Sequence, residues 1–153
     1  MTRRNELLKA LETTPRDLAR TIKGINPTTR GRTVPDQWSI SDILNHLVNV
    51  EIRYLARLRR VTQEDNPTLP YILPDEASHD LSLPLGALLT RFAEVRAETL
   101  QFLTPLQSGI WQRPATFEDG RKTTFRYLVQ ALVDHDTEHL NQLVETKSKF
   151  SSS

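Results

Sequence analysis

The chain has 153 residues, enough for one domain with a core that needs no covalent staples, and its 20 Lys and Arg against 19 Asp and Glu leave a formal charge of +1. So even a balance gives no long-range attraction to nucleic acid or to an anionic membrane, and the pairs Arg3-Arg4 and Arg59-Arg60 are too short to create one. Cysteine is absent, which excludes disulfides, thiolate metal ligands and a cysteine nucleophile together.

No stretch approaches the roughly 20 apolar residues of a membrane span, and Met1 to Leu7 lack the apolar core of a signal peptide. The expectation is a cytoplasmic protein with neither membrane nor nucleic-acid partner. Four long segments carry helical periodicity, with most prolines and the glycines between them, so an all-α bundle is predicted over a single domain of residues 1–150.

In the first segment Leu7, Leu8, Leu11, Leu18, Ile22 and Ile25 mark a helical stripe. Pro15 interrupts it, and Thr14-Pro15-Arg16-Asp17 reads as a restart with Thr14 as the N-cap. From Asn26 to Trp38 the chain contains Pro27, Gly31 and Pro35 and should be extended. Ser39 and Asp42 then stand at capping-box spacing and open a second helix, whose stripe runs through Ile43, Leu44, Leu47, Val50, Tyr54, Leu55 and Leu58.

The connection from Thr62 to Pro84 is long for a bundle loop and is a candidate lid or pocket wall. A third helix follows, through Leu85, Leu88, Leu89, Phe92, Val95, Leu100, Phe102 and Leu103 to a stop before Pro105, with Arg91, Glu94, Arg96 and Glu98 read as its solvated face. Between Trp111 and Lys122, Asp119-Gly120 is a turn dipeptide. Thr123 or Thr124 caps a fourth helix with the series Phe125, Leu128, Val129, Leu132, Val133, Leu140, Leu143 and Val144. The polar tail from Lys147 is expected to fray, with residues 151–153 disordered.

His135 and His139 are four residues apart on the fourth helix and so lie about 40° apart around its axis, close enough to chelate one ion. They share an edge with Leu128 and Leu132, so both imidazoles should be partly buried, where an unpaired polar group costs about 1–3 kcal/mol. A metal would satisfy both; a hydrogen-bonded polar network is the plainer alternative. His46 flanks the stripe of the second helix, and in a bundle two facing helices can assemble one site.

Three imidazoles leave a fourth position for water or substrate, as catalytic zinc sites do. His79, in the proline-rich connection, is read as a surface residue. Glu-x-x-His occurs only there, at Glu76-Ala77-Ser78-His79, so a di-iron carboxylate site is disfavoured, and His-Glu-x-x-His is absent. Around the helix axes Asp42 and Arg53 fall within about 40° of His46, and Gln142 within about 20° of His135. Asp42 either orients His46 or serves only as a cap, and Arg53 either contacts an anionic substrate or is simply solvated. No side chain stands out as a general base, and the catalytic residues are unknown.

The combination Gln37-Trp38-Ser39-Ile40, Asn45-His46-Leu47 and Asp134-His135-Asp136-Thr137-Glu138-His139-Leu140-Asn141-Gln142-Leu143 resembles the DinB-like superfamily of DinB/YfiT-like metalloenzymes, over nearly the whole chain. The resemblance implies a four-helix bundle of up-down-down-up connectivity, a homodimer, and a divalent metal on His46, His135 and His139. It also implies, from similar proteins, transfer or isomerisation with a low-molecular-weight thiol. The reading is a metal-dependent enzyme, with zinc or nickel activating water or a thiol against a small-molecule substrate. Its alternative is a non-catalytic metal-binding or stress-response module.

Overall fold

The computed structural model describes residues 3–26, 37–71 and 83–150. In chain order these form α1 (Arg4–Ile22), α2 (Ile40–Gln63), β1 (Thr68–Leu69), α3 (Leu85–Leu103), a 3₁₀ turn (Ser108–Gln112), β2 (Pro114–Phe117), β3 (Lys122–Thr124) and α4 (Phe125–Phe150). Most of both proline-containing connections lies outside the described residues. The expectations for His79, for Glu76, for a loop lid and for residues 151–153 therefore fall outside them too.

The four helices form a bundle in which α1 and α2 each pack against both α3 and α4. Arg4 at the start of α1 donates to the Leu106 carbonyl beyond the end of α3 (3.2 Å), so those two run in opposite directions. Lys149 near the end of α4 donates to the side-chain oxygen of Gln37, just before α2 (2.6 Å), so α2 and α4 are also opposed.

The apolar core is split in two. One cluster contains Leu7, Leu11, Val50, Leu58, Trp111, Phe125 and Leu128, and the other Leu18, Ile22, Ile43, Leu44, Leu88, Phe92 and Leu143. Between them lies a polar layer built around Arg96, which is 1% exposed. Its guanidinium donates to Glu51 of α2 through Nε and Nη2 (2.8 and 2.9 Å) and to Asp136 of α4 through Nη1 and Nη2 (2.8 and 2.9 Å). The assignment of Arg96 to a solvated face is thus overturned: with Leu88, Phe92, Thr99 and Leu103 it lies on the buried face of α3, at helical spacing. Burial alone would lower the Arg96 pKa, but the hydrogen bonds it donates to Glu51 and Asp136 more than reverse this, and the group stays charged.

α1 does not restart at Pro15. The helix runs through it, and Thr14, instead of capping, donates to the Ala10 carbonyl (3.2 Å) and to Asp136 Oδ2 (2.7 Å). Proline lacks the N–H that would bond Leu11 O four residues back. Arg96 Nη1 takes that place, donating to Leu11 O at 2.9 Å.

The bundle also carries a small sheet that periodicity did not reveal. β2 and β3 form an antiparallel hairpin around Asp119-Gly120, with Gly120 at φ +92°, the left-handed position of a three-residue hairpin loop. β1 pairs in parallel with β2 over two residues and ties the chain after α2 to the hairpin before α4. Thr124 Oγ1 accepts from Tyr127 N at the start of α4 (3.3 Å), and that helix stays regular to Phe150, beyond the Lys147 at which fraying was expected. Val144, counted in the apolar series, is exposed.

Replacing Arg96 by Met would leave two buried carboxylates without their cation, and urea unfolding should show a loss of about 3–5 kcal/mol. Breaking the exposed Arg59–Glu98 pair (3.1 Å) with Arg59→Ala should cost less than about 1 kcal/mol. Equal losses would show that Glu51 and Asp136 do not depend on Arg96 as a buried counter-charge.

Candidate metal centre

The start of α2 is set by a capping box. Asp42 N donates to Ser39 Oγ, and Ser39 N donates to Asp42 Oδ2, each at 3.0 Å. Asp42 thus serves the cap. Trp38, the residue before the cap, packs on the same cluster as Ile43, the arrangement of a hydrophobic staple. Its ring lies 4.6 Å from that of His46, two turns into the helix, and 6.3 Å from that of His139, nearly parallel to it at 16°.

His46 meets the α4 pair across the opposed helices. His46 Nε2 and His135 Nε2 are 3.1 Å apart, the rings of His135 and His139 are 4.4 Å apart, and one nitrogen from each of the three falls within 4.8 Å of the others. His46 and His139 are buried, while His135 is partly accessible. Two nitrogens bound to one tetrahedral zinc at 2.0–2.1 Å would lie about 3.3 Å apart, so the His46–His135 spacing suits a shared ion.

Protonation favours the same use. His139 Nδ1 donates to the side-chain oxygen of Gln142 (2.7 Å), which leaves the lone pair of His139 on Nε2 for a ligand. Around the axis Gln142 also falls near His135, but the two are two turns apart along it, and the structure gives Gln142 to His139, three residues away. Burial, then the neighbouring His139, His46 and Arg96, push the His135 imidazole down to about 3, so it stays neutral and able to ligate. Arg53 is exposed on α2.

A cavity of about 520 Å³ opens beside the cluster, lined by Gln37, Trp38, Glu138, His139, Gln142 and Lys149 among others. Its described wall comes from α4 and the residues just before α2; the long connection read as a candidate pocket wall lies largely outside the described residues. Sequence reasoning passed over Trp38 and Glu138 as site residues. The position of Trp38 just before a cap, opposite Ile43, was the available signal; Glu138 offered none, since it simply precedes a histidine.

The depressed His135 pKa has a consequence for stability. In the unfolded chain an imidazole takes a proton near 6.5. Between about 6.5 and about 3 the unfolded state therefore binds the extra proton, and stability of the metal-free protein should fall as pH falls through that window. Urea titrations should show this slope and show it reduced in His135→Asn; equal slopes would contradict the burial of a neutral His135.

Among the described residues no helix is long and apolar enough to cross a membrane. The fold is similar to that of YfiT from Bacillus subtilis, a protein described as a probable metal-dependent hydrolase with an unusual four-helix bundle topology, with a TM-score of 0.81, 17% identity, and coverage of 100% of this chain and 92% of that one. No curated protein matches the sequence. A family model for the DinB superfamily matches residues 2–143, and with the four-helix bundle and the clustered histidines in view, the chain belongs to the DinB superfamily.

Proposed function

We propose that this protein is a metal-dependent enzyme in which His46, His135 and His139 hold one divalent transition ion, zinc or nickel, and the adjoining cavity takes a small-molecule substrate. The observation that carries the reading is the convergence of three imidazole nitrogens within 4.8 Å at the wall of that cavity. An all-imidazole set without thiolates is the donor chemistry of catalytic rather than structural zinc sites. When bound, such an ion lowers the pKa of a coordinated water or small-molecule thiol, which supplies the nucleophile for hydrolysis or for S-transfer.

The chain's own residues prepare the site. Gln142 fixes the tautomer and orientation of His139, and Trp38 covers His46 and presents a flat apolar surface beside the cavity. Glu138 adds a carboxylate to the cavity wall that can accept a proton from a substrate. The similarity to YfiT supports a metal-dependent hydrolase class for this chain. One observation favours a non-catalytic module instead: at 3.1 Å the His46 and His135 nitrogens are also at hydrogen-bonding distance, an arrangement that needs no ion.

Elemental analysis of untagged protein, purified without a metal-affinity column, separates an ion-holding cluster from a merely hydrogen-bonded one. The expected result is about one equivalent of a transition metal in the wild type, lost in His46→Ala and in His135→Ala while helicity is retained. A well-folded wild type that stays metal-free and takes up neither zinc nor nickel on re-addition would overturn the metalloenzyme reading.

A further inference from the structure

We propose that Arg96 is a positioning residue for the histidine cluster: through Glu51 and Asp136 it fixes the rotation of α4 against α2 and thereby brings His46 to His135 and His139. The metal readout of this inference rests on the preceding reading; its geometric readout does not.

The apolar clusters on either side of the polar layer press the helices together, but apolar contact is non-directional and tolerates rotation. An imidazole nitrogen at the edge of a helix, about 5–6 Å from the axis, moves about 2 Å when the helix turns by 20°. That displacement is comparable to the whole 3.1 Å between His46 Nε2 and His135 Nε2. A metal-binding cluster tolerates errors of only about 0.5 Å or 10–20°. Something directional has to set the rotation.

Arg96 is directional. Its planar fork engages both oxygens of Glu51 and both of Asp136 at 2.8–2.9 Å. Asp136 directly follows His135 and precedes His139 by three residues, and its short side chain transmits the position of the fork to the α4 backbone. Thr14 Oγ1 donates to Asp136 Oδ2 as well, at 2.7 Å, which holds the carboxylate from the α1 side. Glu51 lies five residues beyond His46 on α2. Both ligand-bearing helices are thus keyed to one rigid plane delivered by α3, at the level of the histidines.

Replacing all three members of the buried cluster with apolar residues tests this without leaving an unpaired charge, and such replacements often leave stability unchanged or raise it. Three readouts are compared in the wild type and in Arg96→Met/Glu51→Leu/Asp136→Leu. These are helicity with melting temperature, the ring-to-ring nuclear Overhauser effect between His46 and His135 in metal-free protein, and the affinity and absorption spectrum with cobalt(II). The expected triple variant is helical and cooperative, has lost the His46–His135 contact, and binds cobalt at least about tenfold more weakly with an altered spectrum. A folded variant that keeps the contact and the cobalt spectrum overturns the inference, even if affinity falls, since charge alone would then explain the loss.

Arg96→Lys, which keeps the charge and loses the fork, is measured in the same way. It decides the matter if the triple variant does not fold: a lost contact supports the inference, and an undisturbed contact and spectrum overturn it. If the wild type shows the histidine contact but takes up no cobalt, the metal assignment falls, and the contact in the variants still judges the positioning role.

Discussion

A guanidinium has five N–H groups in a fixed plane, and burying it requires an acceptor for each. In this protein Glu51 accepts two hydrogen bonds from Arg96, Asp136 accepts two, and the carbonyl of Leu11 accepts the fifth. That last acceptor exists because Pro15 has no N–H to occupy it. A proline in mid-helix and an arginine in mid-core are each costly alone, and here each answers the other's unmet hydrogen bond. Thr14 adds a bond to Asp136 from the same turn of α1, so all four helices contribute to one polar layer.

The candidate metal centre is built on that layer and on the N-terminus of α2. The Ser39–Asp42 box decides where α2 begins, and hence the height at which His46 meets α4. Asp136 stands between the two α4 histidines in sequence and faces the interior, which turns His135 and His139 toward α2. Trp38 covers the meeting point. The histidines occupy the side of the layer where the bundle opens to the cavity, so the same arrangement that buries a charged group keeps three imidazoles together at its edge.

The α4 pair of the candidate site was legible because local rules sufficed for it, whereas the joining of His46 to that pair depended on which helices face each other and came from the family resemblance. Spacing placed His135 and His139 on one face, the capping box placed the start of α2, and helical stripes placed all four helices. The polar layer was not read, although its signal was present: Glu51 continues the line of Leu44, Leu47 and Leu58, Arg96 that of Leu88 and Phe92, and Asp136 that of Leu128, Leu132 and His139. A charged residue within an apolar stripe is a hint of burial only if an opposite charge occupies the equivalent place on a neighbouring helix, and that depends on which helices adjoin. Pro15 misled for a related reason, since its cost is met by a residue 81 positions away in sequence. The strands escaped because β1 has only two residues, too few to show an alternation.

Because the Arg96 acceptors are divided among α1, α2 and α4, no subset of the helices closes the layer. Any three-helix arrangement that includes α3 but lacks α1, α2 or α4 would lose some of the protein acceptors of Arg96, and one that lacks α3 would leave two carboxylates without their cation. The layer is therefore complete only in the complete bundle, where each of the four helices supplies part of it. The histidine cluster consequently comes into being with the whole fold: the unfolded chain contains four separate histidines, and the step that completes the bundle also assembles three of them into one site.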